Sequence, residues 1–127
     1  MDFELTSEQR VLRENIIQFA GRDLNEGAAG RDRTETFSRD LWLKCGEMGL
    51  QGLAAPEVFG GTGLDPLSTA LALEAFGYGC RDGGLVFSVC AHLLACVVPV
   101  VKHGNDELKR RYLPGPVSYT HLRAHET

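Results

Sequence analysis

Candidate reactive and ligand-binding residues fall in a few short stretches. The densest is APEVFGGTGLDPLS, residues 55 to 68, with three glycines and two prolines. A glycine-rich run can cradle phosphate on its backbone amides. A dinucleotide-binding loop, however, needs G-x-G-x-x-G between a strand and a helix. Gly61 and Gly63 supply the first two glycines, but Pro66 stands at the third position and the preceding segment reads as helix. A P-loop needs Lys followed by Ser or Thr after its last glycine, where this chain has Leu64 and Asp65. The run is therefore predicted to be a turn that delivers a helix, with Asp65 as cap and Pro66 at the first helical position.

Other reactive types are poorly arranged for catalysis. Cys45, Cys80, Cys90 and Cys96 include no C-x-x-C pair, so they read as small buried hydrophobes in a reducing, cytosolic compartment. His121 and His125 are four apart, a spacing that suits a metal on a helix. H-L-R-A-H lacks the glutamate of H-E-x-x-H, and nothing upstream offers a third ligand, so no metal site is expected. Lys109, Arg110 and Arg111 read as a solvated face near a helix C-terminus.

The elements that position these residues are helical. With 127 residues, 43% apolar, 24% charged and a net charge of −4, the chain has the composition of one ordinary globular domain, and it has no basic footprint for nucleic acid. In LTSEQRVLRENIIQFAGRDL, Thr6 and Gln9 form a capping box. Leu12, Ile16, Phe19 and Leu24 then recur at near-helical spacing. Residues 25–36 are polar and glycine-bearing and read as a connector. Ser38 opens a second helix through Leu41, Trp42, Cys45 and Met48, with Trp42 in the core and Gly49 as the stop. The third, from Pro66, is expected to bury Leu67, Ala70, Leu71 and Ala75 and to close at Gly77 and Gly79. Residues 84–101 carry no charge and reach the length of a membrane span, but Ser88, His92 and Pro99 interrupt them. The amphipathic helices around them favour the buried centre of a bundle, with a kink at Pro99 and a cap at Gly104. NDELKRRYLP makes a last short helix, with Leu108 and Tyr112 turned inward and Pro114 as the stop. The fold class is all-α, a bundle of about five helices.

The order of these motifs resembles a known family. LTSEQRVLRENIIQFA, MGLQGLAAPEVFGGTGLDPLS, ALEAFGYG and KHGNDELKRRYLP follow one another as in the N-terminal helical domain of acyl-CoA dehydrogenases, over about residues 3–115. The P-E-x-x-G-G-x-G-L-D turn and the H-G-N-D…R-Y-L-P segment carry most of the likeness. The resemblance implies a FAD enzyme with a middle β domain and a C-terminal helical bundle. It implies α,β-dehydrogenation of acyl-CoA thioesters, with a carboxylate base taking the α proton and hydride passing to FAD. It further implies an electron-transfer partner, a homo-oligomer and a cytoplasmic location, with no membrane or nucleic-acid partner. The family's base and most flavin contacts lie in the later domains, so residues 1–115 are expected to be inactive and flavin-free alone. By position relative to Pro99 and Gly104, the resemblance assigns Ser88, Ala91, His92 and Ala95 to the distal acyl pocket. Close packing of small residues against a neighbouring helix is the competing reading for those four. Residues 116–127, PVSYTHLRAHET after RYLPG, resemble a translated sequencing adapter and are expected to be a non-native, disordered tail. The alternative to the enzyme reading is a stand-alone helical interaction module, or a membrane-anchored one through residues 84–101.

Overall fold

A computed structural model of the chain describes residues 3–114. Six helices make up the bundle: α1 Ser7–Asp23, α2 Ala28–Thr34, α3 Arg39–Met48, α4 Pro66–Gly79, α5 Gly83–His103 and α6 Asp106–Tyr112. No strand occurs among the described residues. The described residues fall inside the expected 1–115 domain, and the segment 116–127 with His121 and His125 lies outside them.

Local chemistry sets the helix starts. Thr6 Oγ1 accepts from the Gln9 N–H at 3.1 Å while Gln9 Oε1 accepts from the Thr6 N–H at 2.9 Å, closing the expected capping box. Ser38, Asp65 and Asn105 cap α3, α4 and α6 through their side chains. Gly49 ends α3 at φ 86, a left-handed turn that a residue with Cβ adopts only at a cost. Leu50, Leu53 and Ala55 beyond it are buried in the core.

α1 packs along α4 and inserts Ile16, Phe19 and Ala20, with Leu24 just past its end. Each large apolar side chain so buried contributes roughly 1.5–3 kcal/mol. Leu12 and Trp42 are half-buried against this core, and Leu41 and Cys45 lie within it.

Several expectations are corrected. The connector 25–36 contains a helix, α2, although none of its residues is buried. It is held through Arg31, whose guanidinium reaches Asp82 and two backbone carbonyls. Sequence periodicity cannot show a helix kept by polar ties instead of an apolar stripe. On α4 the buried face is Thr69, Ala72, Ala75 and Phe76, while Leu67 and Ala70 are exposed. That helix is apolar nearly all round, so contact with α1 and not periodicity selects the face. Leu108 and Tyr112 point outward, and Leu113, one residue past α6, takes the core position.

The largest departure is α5. Instead of forming the buried centre it buries one stripe, Leu85, Val89, Leu93 and Val97. Only 22% of its most apolar window is buried, and Phe87 and Leu94 are 74% and 51% exposed. By length and composition alone α5 could cross a membrane. At Pro99, which lacks an N–H, the helix continues to His103 after a π-helical stretch at His92–Val97, where the Val98 N–H reaches back to the Leu93 carbonyl. Cys96 is exposed and Cys90 half-buried, so only Cys45 and Cys80 behave as buried hydrophobes.

Candidate functional site

The glycine turn is the first place to look for a ligand, and its backbone is already spent. The Gly60 N–H donates to Glu57, Gly61 to Pro56, Thr62 to Gly52, Gly63 to Ala55 and Leu64 to Leu53, all within 3.1 Å. Phosphate binding needs such amides free and convergent. Gly61 is required sterically, because a Cβ there would run into the Ala55 backbone. Asp65 occupies the start of α4 by accepting from the Ser68 N–H at 2.7 Å, and the Ser68 hydroxyl, together with that N–H, holds its carboxyl below the ordinary carboxylate range. The turn thus clasps α3 to α4, and these amides do not fit the flavin's pyrophosphate.

The second place is α5. The four residues assigned to an acyl pocket lie on its middle turns, and the structure separates them by environment. Ser88 is half-buried and donates from Oγ to the Gly84 carbonyl at 2.8 Å, which leaves the hydroxyl tied to its own helix. Ala91 is half-buried. His92 sits edge-on to Trp42 of α3, with ring centroids 5.3 Å apart, and so belongs to the α3–α5 contact. Ala95 is exposed, inside the π-helical stretch. Behind the contact, Gln51 donates from Nε2 to the Trp42 carbonyl at 2.9 Å, and its buried Oε1 has no partner among the described residues. Phe87, Leu94 and Cys96 extend the open apolar surface of α5, and sequence reasoning missed them because it placed the helix in the core.

The start of α5 is more elaborate than the sequence indicated. Asp82 opens the helix: its Oδ1 accepts from the Leu85 N–H at 3.1 Å, and its Oδ2 accepts from Arg31 Nε at 2.9 Å. The D-G-G run at 82–84 was the available signal. Beside it a cleft of about 800 Å³ opens between the α2 region and the α4–α5 loop. Burial pushes the nearby Cys80 thiol up, and likewise Cys90. In the core, burial pushes Cys45 up to about 12. Among the described residues no group of three or more His, Cys, Asp or Glu side chains is placed to hold a metal.

Comparison with known proteins identifies this arrangement. The family profile "Acyl-CoA dehydrogenase, N-terminal domain" matches residues 6–119, and the chain belongs to that family. The L-prolyl-[peptidyl-carrier protein] dehydrogenase of Pseudomonas fluorescens is 43% identical over 114 residues, covering 90% of this chain and 30% of the relative. The probable acyl-CoA dehydrogenase YngJ of Bacillus subtilis is 38% identical, covering 96% of this chain and 32% of the relative. Among solved structures, PigA with FAD and proline is similar with a TM-score of 0.88 and 41% identity over 94% of this chain and 31% of PigA. The chain spans about a third of the length of the curated relatives it matches.

Proposed function

We propose that this chain supplies the N-terminal helical domain of a FAD-dependent dehydrogenase that desaturates an acyl-CoA thioester between its α and β carbons. Ser88, Ala91 and Ala95 of α5 line the distal end of the acyl pocket, and His92 braces that wall against Trp42. The observation that supports this reading is the open apolar flank of α5. Phe87 and Leu94 stay exposed in a chain that spans a third of its relatives. Exposed surface of this kind marks an interface or a ligand groove. Under this reading the flank meets acyl chain and protein, not lipid. FAD, the base and the electron-transfer contacts are assigned to segments outside residues 1–115, in keeping with the spent amides of the 55–65 turn. Residues 1–115 therefore have no catalytic step of their own, and the assembled enzyme is a cytoplasmic homo-oligomer.

A prolyl group on a carrier protein is the second substrate class. It is favoured by the 43% identity to an enzyme named for that substrate. A chimera tests both classes: residues 3–114 replace the matched segment of the Bacillus subtilis relative, and the product is assayed with acyl-CoAs of graded length and with a prolyl-loaded carrier protein. Flavin uptake with acyl-CoA oxidation is expected. Oxidation of the prolyl carrier alone would transfer the substrate reading to that class. A folded chimera that takes up flavin but oxidises neither would overturn the proposal. The 127-residue chain by itself is expected to purify without flavin absorbance near 450 nm, a region set by the flavin ring.

A further inference from the structure

The seven-residue helix α2 buries nothing and has a left-handed residue at each end, Gly27 at φ 77 and Glu35 at φ 55. It is not there to fill the core. Its firm tie to the fold is Arg31, whose Nε donates to Asp82 Oδ2 at 2.9 Å, Nη1 to the Glu26 carbonyl at 2.7 Å and Nη2 to the Leu24 carbonyl at 3.0 Å. Both partners of the ion pair are only 17% exposed. Asn25 adds a second tie: its Nδ2 donates to the Gly79 carbonyl at 2.8 Å, and its Oδ1 accepts from the Arg81 N–H at 2.7 Å. Of these bonds, Arg31 Nε to Oδ2 reaches the capping residue of α5, and those of Asn25 hold Gly79 and Arg81 just before it.

That place has leverage. α5 fully buries one stripe, with half-buried Val86, Val100 and Val101 packed beside it, and its other side is open. The π-helical stretch His92–Val97 has more residues per turn than its flanks. It therefore offsets the phase of Gly83–Ala91 from that of Val98–His103. The first half carries Ser88 and Ala91. Its roll is fixed at one end by Leu85 and Val89 and at the cap by Asp82, which Arg31 holds.

We propose that Arg31 is a positioning residue for the acyl pocket: acting through Asp82, it sets the roll of the first half of α5 and so the placement of Ser88 and Ala91. This rests on the pocket reading above. Arg31→Met removes all three bonds of the fork, and Arg31→Lys keeps a charge opposite Asp82 but cannot span the two carbonyls. In the 127-residue chain, amide exchange over Gly83–Ala91 is expected to accelerate about tenfold in Arg31→Met, as for the loss of a charge-assisted hydrogen bond, while Val98–His103 keeps its rate. In the chimera, Arg31→Met is expected to lower kcat/KM for long acyl-CoAs about tenfold relative to short ones, with Arg31→Lys in between. Unchanged exchange over Gly83–Ala91 would overturn the proposal. So would a lower Tm with an unchanged long-to-short ratio, since that is a structural role only. Ala95→Phe separates the two readings. If it shifts the chain-length profile and Arg31→Met does not, the positioning role fails alone; if neither shifts it, the pocket reading fails.

Discussion

The turn between α3 and α4 and the helix α5 are both rich in small or apolar residues, and they treat their surroundings in opposite ways. In the turn, consecutive amides from Gly60 to Leu64 find carbonyls within the same loop, and Leu53 and Ala55 close under it. It is complete by itself. α5 satisfies its own backbone but buries one stripe of side chains, and it leaves Phe87, Leu94, Ala95 and Cys96 open. A segment that satisfies its polar groups locally can serve as a rigid clasp. A helix that leaves apolar surface uncovered is set up to receive something else.

Four measurements would break or sharpen that contrast. The largest effect is expected in the turn. Gly61→Ala puts a Cβ against the Ala55 backbone, which has no room to yield, and should cost more than about 3 kcal/mol by denaturant unfolding. A loss under 1 kcal/mol would show that the clasp is looser than its hydrogen bonds imply.

Next comes the division of α5 into two sides. Leu93→Ala, on the buried stripe, should cost about 3 kcal/mol, and Leu94→Ala, one residue on, less than about 0.5 kcal/mol. Equal losses would mean that α5 is covered on both sides in solution.

The open side should then read substrate length. In the chimera, Ala95→Phe fills the space of roughly three methylenes, about 2.4 kcal/mol of binding. That corresponds to a fall of about 50-fold in kcat/KM for long acyl-CoAs, with short ones unaffected. A uniform fall at every length would make Ala95 a packing residue.

The smallest effect concerns pH. The folded protein holds the Cys45 proton more tightly than the unfolded chain does, because burial pushes the thiol from 9.0 up to about 12. That stabilisation is complete below about pH 9 and is lost as pH rises toward about 12. Cys45→Ala should flatten the alkaline limb of the stability curve, whereas Cys96→Ala, on the open side of α5, should leave it unchanged. In the same series a thiol reagent at pH 8 should modify Cys96 and spare Cys45, as read by peptide mass. Modification of both at equal rates would remove the buried-core assignment.

What was legible beforehand was whatever a few neighbouring residues decide. The capping box at Thr6 and Gln9, the caps at Ser38, Asp65 and Asn105 and the stop at Gly49 all depend on contacts within about five positions. The order of those motifs was enough to mark the family. Side-chain faces were legible on α1, where Ile16, Phe19 and Leu24 are buried as expected, and on α3, where Leu41 and Cys45 are.

On α4 and α5 that signal is missing. When nearly every position is apolar, burial of any face would stabilise the helix, so the partner decides. α1 chose Thr69, Ala72, Ala75 and Phe76 on α4, and the core chose one stripe of α5. The candidate site shares this limit. Its residues were assigned by position along a helix, but His92 meets Trp42 and Ala95, inside the π-helical stretch, stays on the open side. α2 was invisible for a third reason: its tie is one arginine reaching an aspartate 51 residues away. Sequence determines local geometry through short-range sterics and hydrogen bonds. Which surface is inside, and which distant charges meet, is decided only when the helices pack, because those free energies exist only between elements.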